Sequence, residues 1–265
     1  MKIAILAAGK SDYFPLFIDK PKCLYHMDGK IQLQKAIEKA HHFVEYKDII
    51  VVAGYKYKYI EHFLESYKDI VLKVNKNYSD AAIKSYRTAI EGETDDIVFV
   101  CADENINLNN FEKVCRSKSK IALLYHDQFY YYSTGIFKLR ADQFQLLMDD
   151  RYLSFEYIKD IYCFANNKKT YDGSFSISSG ICLGYTLIDF VRRIGNIQKI
   201  EKPKKHSIGD NVDVIYINAQ REYHKDLDYF SDTDEYKKSF ILRLYSKCFS
   251  NQIKRFCRAV KRYVK

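Results

Sequence analysis

An aliphatic run, Ile3-Ala4-Ile5-Leu6, ends in Ala7-Ala8-Gly9 and hands the chain to a loop carrying Lys10, Lys20 and Lys22. Small residues at a strand end let a base or a phosphate come close to the backbone. Lysines just downstream meet a polyphosphate as point charges. The same letters also spell a tight strand-to-loop turn, and Lys22 also reads as a solvated loop lysine. A second candidate closes the run Asp96–Cys101 (DIVFVC), where Ala102 is followed by Asp103. A carboxylate directly after a buried strand suits a Mg2+ that bridges phosphates; the alternative is a turn former or cap. No Ser/His/Asp or Cys/His arrangement offers a side-chain nucleophile. These residue types therefore suit the binding of a polyphosphate with a divalent cation.

Positioning such groups needs a scaffold, and the periodicities supply one. Strand-like and helix-like segments alternate, which points to βα units and a mainly parallel sheet. Strands are expected at Ile3–Leu6, Asp48–Ala53, Val71–Asn75, Asp96–Cys101, Lys120–Tyr125, Tyr131–Leu139 and Val212–Ile217. Helices are expected at Leu33–Phe43, Tyr57–Tyr67, Ala81–Ile90, Asn110–Ser117, Ala141–Met148 and Ser154–Phe164. The Ser/Gly-rich stretch Ser174–Ile188 has no assignable period. In open sheets of this class, ligands collect at the carboxyl ends of the strands. Ala7–Gly9 and Ala102-Asp103 both belong to that edge.

The order of the opening elements is specific. Leu6-Ala7-Ala8-Gly9, Pro15-Leu16, Pro21-Lys22-x-Leu24, Gly29-Lys30 and Leu33 follow one another, and Ile49–Tyr55 (IIVVAGY) and Asp103 come later. This succession resembles the nucleotidyltransferases that activate phosphorylated sugars and alcohols, which read LAAGxGxRxxPLTxxxPKxLxxxxGKxxL. The likeness covers roughly the first 105 residues well. Within that family the chain is most similar to the phosphocholine-type cytidylyltransferases. Asn75-Lys76-Asn77-Tyr78-Ser79 and the later Ser85 resemble their N-x-x-Y-x…S segment. A polar loop whose Ser79 or Asp80 caps the next helix is the competing reading.

The resemblance implies a Rossmann-like, GT-A-type α/β fold, with helices on both faces of a mixed, mainly parallel sheet over residues 1–230. It implies in-line attack of an acceptor phosphate on the α-phosphorus of CTP, with Mg2+ and loss of pyrophosphate. Leu6, Ala7, Ala8, Gly9, Tyr78, Ser85 and Ala102 would then line the nucleotide, and Lys22 would act on the reacting phosphates. The metal ligands would be Asp103 and Asn218, the latter from a late-strand pattern read at Tyr216–Tyr223, with Asp210 and Asp213 in reserve. Two departures stand in the loop. The family's second Gly is Ser11, and its Arg, a pyrophosphate contact, falls on Tyr13, which leaves Lys10 or Lys20 to replace it. Tyr131 and Phe137 either line an acceptor pocket, with cation–π contacts to a quaternary amine, or fill the core.

Composition sets the outer bounds. The chain has 265 residues, 47% of them hydrophobic, enough for one α/β domain. Its seven cysteines show no CxxC pair or metal spacing, as expected of reduced thiols in the cytoplasm. The net charge of +9 is concentrated: residues 236–265 hold ten Lys/Arg and no acidic group. The apolar residues of that tail, among them Ile241, Leu244, Tyr245, Cys248, Phe249, Ile253, Phe256 and Val260, fall on one helical face. A basic amphipathic helix with aromatics suits the anionic inner face of a membrane; docking on its own domain or a partner subunit is the alternative. No nucleic-acid module accompanies the charge, so no nucleic-acid partner is expected. Three functions compete. The first is a cytidylyltransferase for cell-surface polysaccharide or lipid decoration. The second is a degenerate member that binds nucleotide or a partner at the membrane. The third is a glycosyltransferase, for which Asp103-Glu104-Asn105 is a loose D-x-D.

Overall fold

The computed structural model describes residues 1–10, 20–104, 108–126, 133–165, 179–195, 211–217 and 234. In chain order the strands are β1 (Lys2–Ala7), β2 (His26–Met27), β3 (Lys30–Ile31), β4 (Ile49–Ala53), β5 (Val71–Val74), β6 (Ile97–Cys101), β7 (Ile121–His126), β8 (Ser133–Leu139) and β9 (Val212–Ile217). The helices are α1 (Gln32–His41), α2 (Tyr57–Leu64), α3 (Ala82–Ile90), α4 (Leu108–Arg116), α5 (Phe155–Ala165) and α6 (Ser179–Gly195).

Seven strands form one sheet in the order β5-β4-β1-β6-β8-β7-β9. Within it β8 runs antiparallel to both β6 and β7, and the other pairings are parallel. The expected mixed, mainly parallel sheet is thus observed. Near-continuous aliphatic runs such as Ile49–Ala53 are buried at every residue, because helices cover both faces. Alternation along β1 sends Ile3 and Ile5 toward Leu33, Ile37 and Ile60 of α1 and α2, with Val114 of α4 in the same cluster. Ala4 faces the opposite layer, with Ile83 of α3, Ile158 of α5 and Phe190 of α6.

Two expectations are corrected, and one unassigned stretch acquires a structure. The segment expected as a helix over 141–148 is a 3-10 turn, Ala141–Leu146. The unassigned Ser/Gly-rich stretch contains most of α6, a 17-residue helix that buries Leu187, Phe190 and Val191. Gly180 and Gly184 interrupt its apolar period, which is why no helix is legible there. Phe137 is not an acceptor-pocket residue. It is fully buried on β8, stacked on Phe99 at 4.7 Å and 5.4 Å from the Tyr86 ring.

The hairpin β2–β3 turns through Asp28 (φ 54°) and Gly29 (φ 82°). An Asp-Gly pair is suited to two successive left-handed residues. The Gly29 N–H donates to Asp234 Oδ2 at 2.7 Å, which fixes the chain just before the basic tail onto this turn.

Candidate functional site

The carboxyl ends of β1, β4 and β6 are tied together beyond their ladders. Ala102 N–H donates to Leu6 O at 3.0 Å, Tyr55 N–H to Ala8 O at 2.9 Å, and Asn75 N–H to Ala53 O at 2.8 Å. The strand ends therefore present Ala7–Gly9, Gly54-Tyr55 and Ala102-Asp103 as one rigid edge. Gly54 makes this closure possible: a Cβ there would lie 2.6 Å from Tyr78 Cβ and 2.8 Å from Ala8 O. Gly9 is different, since a Cβ on it would meet nothing within 4 Å among the described residues. The fold itself does not demand glycine at Gly9; the open space beside it belongs to a cleft.

That cleft, about 630 Å³, is lined by Leu6–Lys10, Lys22, Tyr78, Ser85, Ala102 and Asp103. Lys22 opens a 3-10 turn, Lys22–Leu24, set by the extended Pro21 before it (φ −57°, ψ 145°). Its ammonium forms an ion pair with the Asp103 carboxylate, and both side chains are only about one-fifth exposed (23% and 21%). Lys10 lines the mouth, with Nζ 5.8 Å from the centre of the Tyr55 ring. Lys56 approaches the same ring at 5.5 Å. Lys20 is not brought to the cleft lining; its Nζ stands 4.3 Å from the Tyr25 ring.

The opposite wall comes from the β5–α3 connection. Tyr78 packs edge-on against Tyr55 (6.0 Å). Neither Ser79 nor Asp80 caps α3: the N-cap is Ala81, while Ser79 Oγ donates to Asp80 Oδ1 (3.3 Å) and Asp80 pairs with Lys84 (2.5 Å). The buried Asn75 amide donates to Ser85 Oγ at 3.0 Å. Tyr86 also reaches the lining, and burial pushes its hydroxyl well above the usual tyrosine range. Cys23 lines the cleft as well, but burial, reinforced by Asp103, pushes its thiol up to about 12. A thiol so held stays protonated at neutral pH and is no nucleophile.

Of the other expected residues, Tyr131 and Asn218 lie outside the described residues, as do Ser11, Tyr13 and Asp210. Asp213 is the second residue of β9, paired with Ala122. Four residues separate it from the carboxyl end of that strand, about 13 Å, so it is not placed at the ligand-bearing edge. No group of three or more metal-ligating His, Cys, Asp or Glu occurs among the described residues. Gly54, Asn75 and Lys56 were not singled out as site residues from sequence. The IIVVAGY run contains the signal for Gly54 and the N-x-x-Y-x…S segment the one for Asn75, while Lys56 meets the ring of its chain neighbour Tyr55.

No family model and no curated protein matches the chain. Solved structures do. The inositol-1-phosphate CTP transferase from T. maritima superposes with a TM-score of 0.53 at 15% identity, over 93% of this chain and 95% of that one. A protein described as a glucose-1-phosphate thymidylyltransferase, from Bacillus anthracis and in complex with sucrose, gives 0.54 at 12% identity, over 87% and 91%. Identities this low speak to architecture alone: the chain has the α/β fold found in these two nucleotidyltransferases.

Proposed function

We propose that the chain is a nucleotidyltransferase that moves CMP from CTP onto a phosphorylated alcohol, sugar or amine-alcohol and releases pyrophosphate. One observation carries the reading: Leu6–Lys10, Lys22, Tyr78, Ser85 and Asp103, from separate stretches of sequence, converge on a single cleft. The shared fold with a CTP transferase and a thymidylyltransferase supports the same reaction class.

In this reaction an oxygen of the acceptor phosphate bonds to the α-phosphorus. The bond from that phosphorus to the bridging oxygen breaks, and pyrophosphate leaves with the electron pair. Positioning and charge neutralisation dominate such a transfer. The small side chains of Ala7 and Ala8 and the open space at Gly9 admit a polyphosphate against the backbone. Lys22 neutralises charge at the reacting phosphates once released from Asp103, and Lys10 supplies a cation at the mouth. Mg2+ is usually held by one or two carboxylates together with substrate phosphates and water. A single cleft carboxylate, Asp103, fits that requirement, with Asn218 proposed as the second ligand. Bound there, the ion would offset phosphate charge.

Incubation with each NTP, Mg2+ and a panel of phosphorylated acceptors, with pyrophosphate measured, tests the proposal. Release with CTP and one acceptor, reduced at least about a hundredfold by Asp103→Ala, is expected. No release, together with no thermal shift from any NTP, overturns it. The Lys22–Asp103 pair favours one second reading, nucleotide binding without turnover, because each charge already has a partner. A CTP-dependent thermal shift without pyrophosphate release from any acceptor would select it.

We place the protein in the cytoplasm, at the inner face of the membrane, through residues 236–265, which lie outside the described residues. No helix among the described residues is long and apolar enough to cross a membrane. The basic, one-faced pattern of the tail and the fixing of Asp234 on the β2–β3 turn support a surface contact made beside the domain.

A further inference from the structure

The basic tail is rooted at the edge of the sheet where the cleft opens. Lys22 lines the cleft, Tyr25 N–H donates to Lys22 O at 3.1 Å, and the β2–β3 hairpin follows at once. Helix α1 then begins at Gln32, whose N–H returns to Tyr25 O at 3.3 Å. The next strand, β4, starts at Ile49 beside Ile3, at the amino end of β1. Helix α1 therefore runs from the carboxyl edge of the sheet to the amino edge, and the hairpin before it stands at the carboxyl edge. Asp234 is held on that hairpin by the Gly29 N–H at 2.7 Å. Tyr236, where the basic tail begins, is two residues further on, within about 7 Å of chain.

Charge is divided between the two edges in the same sense. The connections at the amino edge, 42–48, 65–70, 91–96 and 117–120, hold eight acidic residues and four basic ones. The first 235 residues are nearly balanced, with 33 basic and 34 acidic groups. The rest of the domain, cleft edge included, is therefore left slightly positive. An anionic leaflet repels the acidic edge, so it turns the cleft edge toward itself. Resting on the nucleotidyltransferase reading above, we infer that the tail seats the protein with its cleft edge against an anionic leaflet, where the acceptor is a phosphate monoester carried on a lipid headgroup. The tail supplies the attraction, and the folded domain supplies the orientation. Only the phosphate end of such an acceptor enters the cleft, while its alkyl chains stay in the bilayer. An oxygen of the lipid phosphate bonds to the α-phosphorus of CTP, and pyrophosphate leaves with the electron pair of the broken bond. The product, a nucleoside diphosphate ester of the lipid, remains at the membrane.

Two matched charge reversals in the full chain test the orientation. Lys76→Glu, on the connection after β5 at the cleft edge, and Lys68→Glu, at the amino edge, change the net charge equally. Both side chains are exposed and outside the cleft lining. Binding to phosphatidylglycerol vesicles is expected to weaken about fivefold or more in Lys76→Glu and to stay within about twofold in Lys68→Glu. Equal effects, or no effect of either, overturn the orientation. Pyrophosphate release tests the acceptor. With CTP and Mg2+, vesicles containing phosphatidic acid are expected to support release at least about tenfold faster than soluble glycerol phosphate at the same phosphate concentration. A chain ending at residue 235 should lose that advantage and keep its slower rate on the soluble ester. A full chain that uses the soluble ester as fast as the vesicles overturns the lipid acceptor. Release from no acceptor at all overturns the nucleotidyltransferase reading, and the two charge reversals, which need no turnover, then still decide which edge faces the leaflet.

Discussion

Lys22 and Asp103 form an ion pair across the floor of the cleft, although the proposed reaction uses each of them separately. The pair links the 3-10 turn after Pro21 to the end of β6. It also means that a divalent cation approaching Asp103 competes with an ammonium already there. Lys22→Met and Asp103→Asn should both lower pyrophosphate release by at least about a hundredfold. They should differ in Mn2+ binding without nucleotide, measured by electron paramagnetic resonance. Loss of Lys22 strengthens that binding, and loss of the Asp103 charge removes it. Identical Mn2+ affinity in the two variants would refute the competition.

The lysines around the loop separate in the same way. Lys10 and Lys56 both approach the Tyr55 ring beside the cleft, whereas Lys20 stands over Tyr25. Lys10→Met should weaken triphosphate binding several-fold and flatten its dependence on salt, because an ionic contact is lost. Lys20→Met should leave both unchanged. A larger loss from Lys20→Met would reverse the assignment.

Two glycines at the strand ends make a matched pair of substitutions. Gly54→Ala forces a Cβ into Tyr78 and Ala8. Overpacking of this kind costs about 1–3 kcal/mol, so the melting temperature should fall. Gly9→Ala meets nothing within 4 Å among the described residues. Its melting temperature should stay within a degree or so of the parent, with nucleotide affinity reduced. A stability loss in Gly9→Ala equal to that of Gly54→Ala would show that the open space at Gly9 is not available to a ligand.

The contrast also marks what was legible in the chain. β1, β4 and β6 were readable because they are aliphatic runs that end in small residues, and contiguous motifs place Ala7–Gly9, Lys22 and Asp103 at one edge. Whatever depends on two distant segments meeting was not readable. The Phe99–Phe137–Tyr86 stack removes Phe137 from any pocket, yet a lone aromatic in a strand looks the same whether it faces core or ligand. The amide of Asn75 and the hydroxyl of Ser85 are ten positions apart, with their pairing fixed by how α3 packs. Helix α6 was hidden because glycines break its period while tertiary burial of Leu187 and Phe190 restores the helix.

Cleft chemistry without a thiol nucleophile has a direct check. Burial holds the Cys23 thiol at about 12, against an ordinary value near 9, so at pH 8 its thiolate fraction is roughly a thousandfold lower than that of an exposed cysteine. Alkylation of the folded protein at pH 8, followed by mass spectrometry, should leave Cys23 unmodified. The raised value means that reactivity appears only as pH climbs toward 12, or on unfolding. Cys23→Ser should keep most of the activity. Rapid labelling at pH 8 that also abolishes pyrophosphate release would restore Cys23 as a candidate nucleophile.

The tail supplies the last prediction. Residues 236–265 carry ten basic and no acidic groups, and the remaining 235 residues hold 33 basic and 34 acidic ones. Attraction to an anionic membrane is therefore expected of the tail and not of the domain. At about 1 kcal/mol per basic residue near an anionic leaflet, even half of the ten would hold the protein to vesicles. The contact is screened by salt within a Debye length of about 10 Å at 0.1 M, while burial of Ile241, Leu244, Phe249 and Phe256 would persist. Flotation with phosphatidylglycerol vesicles should carry the full chain, carry less of it at 0.5 M salt, and leave behind a chain ending at residue 235. Pyrophosphate release by that shortened chain should be retained, since every cleft residue precedes the tail. Equal flotation of the two chains would show that the membrane contact lies elsewhere, and loss of folding on truncation would show that the tail docks on the domain instead.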